Sequence, residues 1–121
     1  MSATIDGKAW SSPAPAALYR SNIVSVAGLD VPVTSSVSFA MLAAGPGTYS
    51  VASGNSIGGS AIVTQSAKGY SSASTGGTGS VTITTLTANH VVGTFVFDAI
   101  GSTGGATGTV HVTNGKFDIT F

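Results

Sequence analysis

Apolar and small polar residues alternate one by one along most of this chain, and that period of two constrains its fold more than any other feature. Successive side chains on a strand point to opposite faces, so such alternation marks strands with one buried face. In Val33-Thr-Ser-Ser-Val-Ser-Phe-Ala-Met41, the residues Val33, Ser35, Val37, Phe39 and Met41 share one face. Thr34, Ser36, Ser38 and Ala40 share the other. Ser80-Val-Thr-Ile-Thr84 turns Val81 and Ile83 inward, and residues 91–99 gather Val91, Phe95, Phe97 and Ala99 on a common face. Helical spacing hardly appears.

The breaks between these runs carry turn residues. Asn114-Gly115 lies between two alternating segments, 107–112 and 116–121, and Asn-Gly in that setting predicts a β-hairpin, because both residues tolerate positive φ. Phe117, Ile119 and Phe121 then face the core. Asp6-Gly7 predicts a second tight turn, pairing residues 3–5 with 8–10. Further strands are expected over residues 2–5, 17–19, 22–26, 47–51 and 60–65. Residues 13–17 read as an extended connection, because Pro13 and Pro15 are poor in a helix interior. Residues 66–79 are almost entirely Ser, Thr, Gly and Ala around Tyr70 and read as a long loop, with 101–105 a shorter one. The result is an all-β chain, an antiparallel β-sandwich of about 8–10 short strands, with a partly open β-barrel as the alternative. The 121 residues form a single domain over 1–121, with no internal repeat or linker.

Charge narrows the function. Only 7% of residues are charged, against about 25% in an ordinary globular protein. The acids are Asp6, Asp30, Asp98 and Asp118, the bases are Lys8, Arg20, Lys68 and Lys116, and the net charge is zero. Four scattered cations make no footprint for nucleic acid or for an anionic membrane surface. No apolar run approaches the roughly 20 residues of a transmembrane helix. The chain has no Cys, which removes disulfides, thiol catalysis and Cys-based metal sites. The opening residues have neither the basic nor the apolar region of a signal peptide. A surface of Ser, Thr and Gly is nonetheless commoner outside the cell, so export is expected, with the signal segment absent from this chain.

No constellation of residues points to chemistry. Asp98 and Asp118 approach each other only if their strands are neighbours, and the carboxylate pairs of glycosidases usually include a Glu, which this chain lacks. His90 and His111 are the only histidines, and nothing in the sequence brings them together with an Asp to hold zinc. The glycine clusters 76–79 and 101–105 lack the Lys and the helix of a phosphate-binding loop. Neither an enzyme, a cofactor nor a metal is expected. The residues left as candidate ligand or partner contacts are Tyr70, Trp10, Tyr19 and Arg20, since Tyr and Trp are enriched at interfaces. Tyr70, alone in its polar stretch, is expected to be the most exposed ring. Trp10 and Tyr49 fit a core role better.

Several segments also resemble a known family when taken in order. They are Ala3-Thr-Ile-Asp-Gly-Lys-Ala-Trp10, Gly45-Pro-Gly-Thr-Tyr49, Gly79-Ser-Val-Thr-Ile-Thr-Thr-Leu86 with Gly93-Thr-Phe-Val-Phe97, and Thr113-Asn-Gly-Lys-Phe-Asp-Ile-Thr-Phe121. Together they resemble the uncharacterised bacterial DUF6252-type family of small exported, often lipid-anchored, β domains. The resemblance implies a secreted or anchored β domain and no catalytic residues. The expected function is a non-catalytic exported module with a binding or structural role at the cell surface or in the periplasm. The alternatives are a self-assembling subunit of a surface fibre or larger complex, and a carbohydrate-binding module on a polysaccharide. Few charges protect its strand edges, so pairing with a protein partner or another copy through the edges at residues 2–5 or 116–121 is expected.

Overall fold

The computed structural model describes residues 1–55 and 58–121, and every regular element among them is a strand. In chain order these are β1 (Ser2–Ile5), β2 (Lys8–Ser11), β3 (Ala16–Arg20), β4 (Ile23–Leu29), β5 (Ser35–Leu42), β6 (Gly47–Ser50), β7 (Ser60–Gln65), β8 (Lys68–Ser71), β9 (Thr78–Leu86), β10 (His90–Thr103) and β11 (Thr109–Thr120). All pair antiparallel in one sheet with the order β2-β1-β11-β10-β8-β7-β5-β4-β3. The sheet forks at β10, which spans 14 residues. One edge of β10 carries β11 along almost its whole length. Its other edge carries β9 opposite residues 91–98 and β8 opposite residues 100–103. Strand β6 extends the β9 branch.

The sheet curls into a half-barrel around one apolar core. The curl brings the inner face of β5 onto that of β10 and β11. The Phe39 ring lies 5.2 Å from Phe95 and 5.3 Å from Phe117, centroid to centroid. Each of the two partner rings crosses a glycine on the neighbouring strand, Phe95 opposite Gly115 and Phe117 opposite Gly93. A Cβ on either glycine would strike the ring facing it, so large and small residues interdigitate across the pair. At the seam β3 touches β11, and Ser12 Oγ just after β2 accepts the Leu29 N–H at the end of β4. The accessible surface is 5977 Å², close to the roughly 5,900 Å² of a well-packed protein of this mass. The inside of the half-barrel is occupied by one cluster of packed apolar side chains.

Most of the alternation is borne out. Val37, Phe39, Met41, Val81, Ile83, Val91, Phe95, Phe97, Ala99, Phe117 and Ile119 are all buried. Asp6 and Gly7 both take positive φ and join β1 to β2 in the predicted register, with Ala3 opposite Trp10.

Four expectations need correction. Asn114-Gly115 is no hairpin turn, because β11 runs straight through it. Only Asn114 has positive φ, and the register against β10 slips by one residue between Phe95 and Phe97. The residue pair is a β-bulge. One extra residue moves the inward positions from Val110 and Val112 to Phe117 and Ile119, the same parity change that a turn would produce. The two expected loops are largely strand: in residues 66–79, Ser66 and Ala67 make a tight turn while Lys68–Ser71 and the start of β9 are paired strand, and in residues 101–105 β10 runs on through Thr103. Val33 lies in the loop before β5 and Phe121 just past β11, and both are exposed, so neither joins the core. One of the two expected edges moves. Strand β1 is flanked on both sides by β2 and β11, so residues 2–5 are no edge, whereas β11 beyond Lys116 pairs only with β10 and keeps the free edge expected there. Among the described residues the other strands with one free edge are β2, β3 and β6.

Candidate functional site

Charge and apolar surface segregate onto different parts of the outer face. On the β10–β11 ribbon, alternation places His90 and Asp98 outward on β10, and His111 and Asp118 outward on β11. Asp98 sits directly across from His111, and its Oδ1 meets His111 Nδ1 at 2.7 Å. Asp6 in the first turn accepts the His111 backbone N–H. The hydrogen bond and charge of Asp98, with a smaller contribution from Asp6, raise the His111 pKa above the ordinary imidazole value. At the other end, His90 Nε2 meets Asp118 Oδ1 at 2.7 Å.

These pairs do not assemble into a reaction centre. Asp118 lies across from Val92, six positions along β10 from Asp98. At strand rise that is about 20 Å, far beyond the separation of paired catalytic carboxylates. Among the described residues no three His, Asp, Glu or Cys side chains cluster as metal ligands. Each pair has two exposed members and acts as a cross-strand clasp.

The four residues singled out from the sequence do not converge either. Trp10 is across from Ala3 on the inner face and is only 7% exposed, with no acceptor for its indole N–H among the described residues. Tyr19 lies across from Val24, and Tyr70 across from Val63, so both rings lean on the core and are half-buried. Arg20 is exposed on the outer face. With Trp10, Tyr19 and Tyr70 all turned inward, the sugar-stacking reading has no ring platform among them.

What the outer face offers is a dish on β3, β4, β5 and β7. Its registers run Leu18-Ser25-Ala40-Ser60 and Ala16-Ala27-Ser38-Ile62 across the four strands. The floor is therefore Ser25, Ala27, Ser38 and Ala40, all small. Leu18, Ile23, Leu42 and Ile62 stand around it as an apolar rim, each about half exposed. The depression has a volume of about 340 Å³. Arg20 stands at its margin beside Ile23, and no acid lies on this face. Alternation alone hides the dish, because it assigns apolar residues inward. The available signal is that apolar residues occupy both parities in Ala16–Arg20 and at Ile23-Val24.

Next to this face, the loop from β4 to β5 projects Val31 and Val33, which are 75% and 67% exposed. Asp30 closes the base of the loop: its carboxylate accepts the backbone N–H and hydroxyl of both Thr34 and Ser35. Those bonds, led by the Thr34 hydroxyl, hold the Asp30 carboxyl well below the usual carboxylate range.

A family model described as a domain of unknown function, DUF6252, matches residues 1–119. No curated protein and no solved structure matches the chain. The motifs quoted from the sequence thus sit on the hairpin of β1 and β2, on the turn into β6, on β9 and β10, and on the bulged β11. With nearly its whole length covered by that model, the chain belongs to the DUF6252 family.

Proposed function

We propose that this protein is a non-catalytic β module, exported from a bacterial cell, that binds another protein through the outer face of β3, β4, β5 and β7. The observation that carries this reading is the dish with its rim of half-exposed Leu18, Ile23, Leu42 and Ile62. A contiguous apolar surface bordered by polar residues is the kind of surface that proteins use to meet partners. Its shallowness favours a protein over a small molecule, since a ligand pocket buries most of its ligand. Export rests on the surface composition and on the family resemblance.

A photo-crosslinking residue at exposed Ala27, introduced in the native host, tests the reading. The expected result is a covalent adduct with a protein, absent when the same residue replaces Thr113 on the charged ribbon. Adducts from neither position, or the same adducts from both, would overturn it. Cell fractionation against a periplasmic marker checks the address, and a cytoplasmic pool alone would refute export.

A further inference from the structure

We infer that the protein associates with itself, the Val31-Pro32-Val33 tip of one copy seating in the dish of the next. This rests on the protein-binding reading of the dish and names its occupant. Two unpartnered apolar features exist on one molecule, a projection and a depression. Among the described residues Val31 and Val33 are the most exposed large apolar side chains, and Asp30 pins the base of the tip that carries them to Thr34 and Ser35. A loop pinned at its base loses less freedom on docking than a free one. The floor of small residues leaves room for branched side chains between Leu18 and Ile62.

Charge fits the same pairing. Asp30, at the base of the tip, stays ionised, and Arg20 stands at the margin of the dish. Docking the tip brings the acid of one copy towards the base of the next. A two-fold stacking of dish on dish would set Arg20 near its own copy and leave both tips in water. Contact between two different patches is heterologous and needs only one intact tip and one intact dish. The four-strand face measures about 19 by 24 Å at sheet spacings, at the small end for specific interfaces, so association is weak and concentration-dependent.

Sedimentation velocity of the full chain from about 10 μM to about 1 mM covers the range where such an interface forms. The wild-type mass is expected to rise with concentration from 11.8 kDa to at least twice that value. The tip variant Val31→Ser/Val33→Ser and the dish variant Ala27→Arg should each remain monomeric, with unchanged circular dichroism. Leu18→Arg serves as a second dish variant should Ala27→Arg fail to fold. Mixing the tip and dish variants should restore a 1:1 dimer that grows no further. A wild-type chain that is monomeric throughout, a tip variant that associates normally, or a mixture that stays monomeric overturns the inference. If the wild type is monomeric while Ala27 still crosslinks a different protein in cells, the protein-binding reading stands and only the self-association falls.

Discussion

The His111–Asp98 clasp has a defined dependence on pH. The folded pKa of His111 is raised above the ordinary 6.5 by the Asp98 carboxylate. A raised folded pKa contributes stability that is fully present below the unfolded value and is lost as pH rises through the folded one. Between pH 6 and 8.5 the wild type is therefore expected to lose more stability than His111→Gln, as read from urea midpoints. Parallel pH profiles for the two proteins would show that the clasp contributes nothing. The alternation of 107–112 already turned His111 away from Val110 and Val112. Its partner was illegible, because pairing with Asp98 depends on the register of two strands. Asp30 poses the same problem in miniature: its four hydrogen bonds exist only because the loop folds back onto Thr34 and Ser35.

Turn chemistry at the scale of elements shows why one signal gave two outcomes. Asp6-Gly7 and Asn114-Gly115 look alike, yet the first closes a hairpin and the second bulges a strand. What separates them is the neighbour: β10 is long enough to pair with both halves of β11, so the chain gains more ladder by running on than by turning back. Conversely, Ser21-Asn22 and Ser66-Ala67 each take positive φ at both residues and close two-residue turns, although of the four only Asn22 is of a type that commonly adopts positive φ. Left-handed backbone costs an ordinary residue about 1–2 kcal/mol. Replacing Ser66-Ala67 by Asn-Gly should therefore stabilise the fold by about 1 kcal/mol, after allowing for the entropy glycine adds to the unfolded chain. Denaturant unfolding measures this, and an unchanged or lower midpoint would mean that the turn stores no strain.

The molecule as a whole is held by the closure of the sheet on itself. Phe39 ties the limb of β3, β4, β5 and β7 to β10 and β11 through two ring contacts. Phe39→Ala should cost about 3–5 kcal/mol, a large part of the roughly 6–18 kcal/mol that 121 residues provide. Calorimetry would show a strongly lowered Tm, and a loss below 1 kcal/mol would mean that the limbs hold together without it. The same closure decides the surface. Trp10, Tyr19 and Tyr70 were candidates because aromatic rings favour interfaces, but each belongs to the inward parity of its strand and is drawn to the core. Leu18, Ile23, Leu42 and Ile62 read as scattered apolar residues until β3, β4, β5 and β7 lie side by side. The sequence by itself determined the fold class, most of the inward residues and the β1–β2 hairpin, because alternation and turn propensity are local and survive without neighbours. The fork at β10, the bulge at Asn114, the free edges of β2, β3 and β6 and the dish came only with the tertiary structure, because each depends on which distant strands pair and in what register.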